Sequence, residues 1–104
     1  MYGVPCHSDK ILKVDVATGT CTTLGLSVTG GGPLPAGKKR PDGKYKYLGG
    51  VNGTDGAIYF MPADADFVTR LDPLTGEVKT IGTSFEGEEI NHTKWQNGFM
   101  AHDK

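Results

Sequence analysis

Residues 1–25 and 58–82 of this chain align without a gap, MYGVPCHSDKILKVDVATGTCTTLG over IYFMPADADFVTRLDPLTGEVKTIG, at an offset of 57 residues. Eight of the 25 positions are identical: Tyr2/Tyr59, Pro5/Pro62, Asp9/Asp66, Asp15/Asp72, Thr18/Thr75, Gly19/Gly76, Thr23/Thr80 and Gly25/Gly82. A second match follows at an offset of 48, where Lys46-Tyr47-x-x-Gly50 faces Lys94-Trp95-x-x-Gly98 and Asp55 faces Asp103. The drop in offset makes the first connecting loop nine residues longer than the second. A unit written twice stacks on its own copy, because a single repeat leaves its apolar face bare.

The local chemistry of the unit is all β. Ile58-Tyr-Phe-Met61 is a short apolar run stopped by Pro62, the pattern of a strand buried on both faces. Residues 11–14 and 67–71 read as second strands, and residues 20–24 and 77–81, with β-branched residues at intervals, as third strands. Between them stand Asp15-Val-Ala-Thr-Gly19 and Asp72-Pro-Leu-Thr-Gly76. Here the carboxylate accepts turn amides, and glycine takes the φ > 0 position. Asp55-Gly56 predicts another hairpin, joining a strand at 49–53 to the one at 58–61. No segment shows a 3.6-residue apolar period over ten residues, so helix has almost no place.

One complete unit is therefore four antiparallel strands, A to D: 49–53, 58–61, 67–71 and 77–81. Four-stranded sheets recurring every 40–60 residues or so are the signature of β-propeller blades. The chain resembles the blades of the NHL, YVTN and streptogramin-lyase-like propellers, in which a V-x-x-[IL]-D-P-x-T-G-x-V run forms the two outer strands. That run stands here as Val68-Thr-Arg-Leu-Asp-Pro-Leu-Thr-Gly-Glu-Val78, and more loosely over residues 11–21. The resemblance covers most of the chain outside residues 26–44, and it implies a fold rather than an activity.

In blade order, residues 1–25 supply strands B-C-D of one blade, 26–44 a connecting loop, 45–82 a complete blade, and 83–104 a loop and a closing strand A at 98–102. The chain thus carries two blades' worth of strands, permuted by one strand. Two blades leave open edges and bare faces. Either copies of the chain close a ring, each lending strand A to its neighbour's B-C-D, or further blades of a longer chain do so.

Composition narrows the function class. Lys+Arg 11 against Asp+Glu 12 gives a net charge of −1, which disfavours a nucleic-acid or polybasic membrane partner. No apolar run approaches 18 residues, and the first residues carry no basic-then-apolar leader, so a soluble chain without a signal peptide is expected, its compartment open. Cys6 and Cys21 match no zinc spacing, fall at opposite ends of one small sheet, and are expected as free, packed thiols. Asn52-Gly-Thr and Asn91-His-Thr match the glycosylation acceptor pattern, weakly in a chain this rich in threonine.

Antiparallel order places the B–C loops (6–10 and 63–66) and D–A loops (26–44 and 83–93) on one rim. Candidate binding groups gather there. Lys38-Lys39-Arg40 is a compact positive cluster after the extended stretch Gly30-Gly-Gly-Pro-Leu-Pro, suited to an acidic partner or to Glu86, Glu88 and Glu89 of the neighbouring loop. The glycines match no phosphate-binding pattern. His7, Asp9, Asp64, Asp66 and His92 share this rim, where histidines and carboxylates serve as metal ligands or acid–base groups. The recurrence of Asp9 at Asp66 points instead to a turn-capping role in each unit. Tyr47 and Trp95 hold one position before strand A and read as packing between blades. His102-Asp103 falls on the opposite rim as a turn. Strand A of a propeller lines the central channel, which the resemblance assigns to Gly49, Gly50, Asn52, Gly53, Asn97, Gly98, Met100 and His102. No Ser/His/Asp or Cys/His arrangement is present, and no cofactor is implied. The expectation is a non-catalytic propeller module that binds a protein or small ligand through this rim. The alternative is a lyase- or lactonase-type propeller enzyme with a central metal.

Overall fold

The computed structural model describes residues 1–27, 32–87 and 93–101. Among them seven strands form, β1 (Tyr2–Gly3), β2 (Ile11–Asp15), β3 (Thr20–Leu24), β4 (Tyr47–Asn52), β5 (Ile58–Pro62), β6 (Val68–Leu71) and β7 (Val78–Ile81). They make two antiparallel sheets, three-stranded β1-β2-β3 and four-stranded β4-β5-β6-β7, each in sequence order. The fold is all-β, and among the described residues no helix is long and apolar enough to cross a membrane.

The turns form as their residues dictate. In the β2–β3 hairpin Asp15 Oδ1 accepts the Ala17 N–H, and the Gly19 N–H reaches the Asp15 carbonyl with φ at +74°. In the β6–β7 hairpin Asp72 Oδ1 accepts the Leu74 N–H, and the Gly76 N–H reaches the Asp72 carbonyl with φ at +78°. Those dihedrals penalise any side chain with a Cβ, so glycine recurs at both positions. The β4–β5 turn closes on Gly56 (φ +85°), with Asp55 Oδ1 accepting the Ala57 N–H.

Cross-strand partners share a face, so the registers define which residues line each side of a sheet. The first sheet turns Tyr2, Ile11 and Leu24 inward, against Tyr47, Phe60, Leu71 and Val78 of the second, and Leu34 completes this core. Val4 belongs to the same layer: a methyl group built on Gly50 would lie 3.5 Å from its Cγ2. Within the core the Tyr47 hydroxyl and Thr69 Oγ1 are hydrogen-bonded at 2.5 Å, which satisfies both buried polar atoms. The outward face of the second sheet carries Val51, Tyr59, Met61, Val68, Arg70 and Ile81, and that of the first carries Gly3, Leu12, Cys21 and Thr23.

Four local expectations need correction. The 58–61 run is not buried on both faces: Phe60 is buried, but Tyr59 and Met61 are half-buried because no sheet covers their side. Tyr47 lies inside a strand rather than before it, and a register shift between Tyr47 and Gly50 absorbs the turn of Gly49 at φ +92°. Residues 98–101 are not a strand, since among the described residues they pair with no strand edge. Both cysteines are free, but Cys21 is exposed rather than packed.

A surface cluster on the second sheet is built around Asp55. Asp55 accepts hydrogen bonds from the Tyr59 hydroxyl and the Ala57 N–H, and pairs with Arg70 at 3.2 Å. These bonds, the tyrosine's first, hold the Asp55 carboxyl down to about 2. A carboxyl depressed in the folded state stabilises it above the unfolded value, near 4, and that contribution is lost as pH falls towards 2. Urea unfolding of the Asp55→Asn variant between pH 2 and 7 is therefore expected to show a flatter acid limb than the parent chain. Parallel limbs would refute this.

Candidate functional site

Of the rim residues singled out above, His7, Asp9, Arg40, Asp64 and Asp66 all contact one loop and hold it in place. The loop after β3 crosses back over the B–C turns as a strap, residues 32–46. Gly37 is buried against the Asp64 carbonyl, where a Cβ would collide with that oxygen. The next amide, Lys38 N–H, donates to Asp66 Oδ2 at 2.9 Å. Arg40 then turns inward, pairing with Asp64 Oδ2 at 3.0 Å and with Asp42 at 2.8 Å, while its guanidinium lies 4.6 Å over the Tyr45 ring. The Arg40 bond and then the Lys44 N–H hold the Asp42 carboxyl down to about 2. Asp64 Oδ1 accepts the Thr93 N–H, so one carboxylate ties the strap to the segment beginning at 93.

His7 sits at the same junction. Its Nδ1 accepts the Tyr45 N–H at 3.3 Å, and its ring meets the Tyr45 ring edge-on at 4.4 Å. That bond engages Nδ1 of the ring as an acceptor and fixes the ring's orientation against the strap. Beneath it lies Lys46, buried at 1% exposure, whose ammonium donates to the carbonyls of His7 (2.9 Å) and Gly43 (2.6 Å), with Asp9 at 3.6 Å. A buried ammonium with these acceptors is a fastening for the strap, not a free nucleophile.

The positive cluster at 38–40 therefore divides. Arg40 belongs to the clamp. Lys38 remains three-quarters exposed and reaches Glu86 of the adjacent loop at 3.5 Å, and Lys39 and Lys44 are exposed. Glu88, Glu89 and His92 lie outside the described residues. Asp64 and Asp66 are buried, at 3% and 6% exposure, with their oxygens engaged. Asp66 holds the strap's Lys38 amide rather than capping its own turn, so its recurrence with Asp9 marks a loop-anchoring position. Among the described residues no three His, Cys, Asp or Glu side chains stand together as a metal site.

Lys46 and Leu34 are the residues that sequence reasoning passed over. The parallel recurrence of Lys46 at Lys94 and Asp9 at Asp66 was a usable signal for the first, because a buried cation and its acid partner would recur together. Leu34, at 3% exposure between two prolines of a loop, had no such signal. Comparison with family models, with curated proteins and with solved structures found no match to this chain in any of the three.

Proposed function

We propose that the chain is a β-propeller blade pair that works as a non-catalytic binding module, its partner an acidic protein surface met by the strap rim. Three features support the blade reading: strands in consecutive antiparallel order, the two Asp-to-Gly hairpins at matching positions, and face-to-face stacking of the sheets. The observation that carries the binding reading is the clamp itself. Arg40, Asp64, Asp66 and Lys46 hold the strap from within, and this leaves Lys38, Lys39 and Lys44 outward on a fixed backbone. Exposed charges on an ordered loop steer association and register without the cost of ordering the loop on binding.

Poly-glutamate at 50 mM salt is the first probe. Binding is expected to weaken about tenfold by 300 mM salt, where exposed charges are largely screened. The triple variant Lys38→Glu, Lys39→Glu and Lys44→Glu is expected to lose binding about tenfold with unchanged circular dichroism. Absence of binding at 50 mM salt overturns the rim reading. So does equal binding of a single-stranded RNA of matched charge, which would reduce the rim to a general anion attractor.

A further inference from the structure

Residues 93–98 repeat the backbone of residues 45–50. Tyr45 and Thr93, 48 positions apart, are both left-handed at φ +54° and +48°, as are Gly49 and Asn97 at +92° and +60°. Three of these are positions where a turn is needed strongly enough for non-glycine residues to adopt it. Their anchors match as well. The Lys46 N–H donates to the Cys6 carbonyl at 2.7 Å, and the Lys94 N–H to the Ala63 carbonyl, 57 positions on from Cys6, at 2.8 Å. Upstream, the Leu34 N–H donates to the Asp9 carbonyl and the Phe85 N–H to that of Asp66, again 57 apart. The packing follows suit: Gly50 lies over Val4, and Gly98 over Met61, whose sulfur would be 3.3 Å from an added Cβ. The segment from 93 thus begins to lay on the second sheet what β4 lays on the first.

The likeness ends where a partner is missing. β4 continues as a strand because β5 runs beside it, whereas residues 98–101 run beside no strand, with Phe99 87% exposed and Met100 41%. The first sheet has the converse lack: among the described residues β1 is an edge strand, with no strand in the place that β4 takes beside β5. These two gaps cannot fill each other within one chain, because the first sheet lies against the buried face of the second and Gly98 lies over the opposite face. They can fill each other between chains.

We propose that residues 98–101 pair with the β1 edge of a second copy of this chain, whose first sheet then covers the open face of β4–β7. Transferring the register of Gly50 with Phe60 and Val51 with Tyr59 sets Gly98 opposite Gly3 of the second copy, and Phe99 opposite its Tyr2. The faces agree with this docking. The uncovered side of the first sheet carries Gly3, Leu12 and Cys21, which stand 57 positions before Phe60, Thr69 and Val78, and those three make the buried side of the second sheet. A groove of about 430 Å³, lined by Gly3, Leu12 and Thr23 among others, opens on that side. The contact is head-to-tail, so it closes into a ring or extends as a filament. The inference deepens the blade reading and is independent of the rim's charge.

Native mass of the 104-residue chain, measured from about 1 to 100 μM, is expected to show one species near three or four times 11.1 kDa. In a Cys6→Ser, Cys21→Ser background, Tyr2→Cys with Phe99→Cys is expected to cross-link between chains under mild oxidation. Val4→Cys with Phe99→Cys, one step out of register on the same face, is expected to link at least tenfold more slowly. A monomer at all concentrations overturns the proposal, and so does equal linking of the two pairs. If the cysteine variants fail to fold, the mass of the unsubstituted chain decides alone. A folded monomer that still binds poly-glutamate ends the exchange but leaves the rim reading. An assembled species that does not bind it ends the rim reading but leaves the exchange.

Discussion

Phe60→Ala is expected to unfold most of the chain at ambient temperature. Phe60 is fully buried, its ring 6.1 Å from that of Tyr47, in the layer where the two sheets meet. Truncating such a side chain costs about 3–5 kcal/mol, since the lost transfer energy is joined by the cavity left behind. A domain of this length has about 5–15 kcal/mol in total, and towards the lower end of that range the variant has almost none. The loss is concentrated because few other residues make up this layer: Ile11, Leu34, Tyr47, Ala65, Leu71 and Val78 complete the buried cluster. Leu74, 96% exposed at the β6–β7 turn, is the control, and Leu74→Ala is expected to change stability by less than about 0.5 kcal/mol. Denaturant midpoints for the two variants check this. A loss below about 1 kcal/mol for Phe60→Ala would mean that the sheets do not depend on that layer.

The strands and turns were legible in the sequence because their determinants are local. Asp15 and Asp72 cap their own hairpins, and Gly19 and Gly76 occupy the left-handed positions a short hairpin requires. Strand ends fell within a residue of expectation at β2, β3, β5, β6 and β7, where alternation and β-branching speak for themselves. What escaped was decided by contacts across long separations. Nothing around Leu34 announces that it will enter a core made by Ile11 and Tyr47. Nothing in Lys38-Lys39-Arg40 says that one cation will turn inward, because the acid that draws it is 24 residues further on at Asp64. The burial of Ile58–Pro62 was over-read for a related reason. An apolar run reports that two faces suit apolar company, not that both have it. Residues 98–101 show the same limit, since a strand-like sequence without an adjacent edge does not make a strand.

Asp64→Ala is expected to release the strap before it unfolds the sheets. The carboxylate accepts the Arg40 guanidinium on one oxygen and the Thr93 N–H on the other, and it is almost wholly removed from water. Alanine leaves the Thr93 N–H and the Arg40 Nη1 without this acceptor in a partly closed site, although Arg40 keeps Asp42, at a cost of about 3 kcal/mol. That cost falls mainly on residues 32–46 and on the segment from 93, because the strand ladders use none of these bonds. Limited trypsin digestion reads the difference directly: cleavage after Lys38, Lys39 or Lys44 is expected to accelerate at least tenfold, while cleavage after Arg70, within β6, lags behind. Asp64→Asn is expected to fall between alanine and the parent chain, since its amide oxygen still accepts the Thr93 N–H while the charge that holds Arg40 is gone. Asp42→Ala, which removes the acid on the outer side of Arg40, is expected to loosen the strap less, because Arg40 retains Asp64. Equal digestion rates for the Asp64→Ala variant and the parent chain would show that Lys46 and Gly37 hold the strap unaided. Faster digestion at every site together would show that strap and sheets melt as one unit. The expected order, strap first, makes Asp64 the residue on which the presentation of Lys38, Lys39 and Lys44 depends.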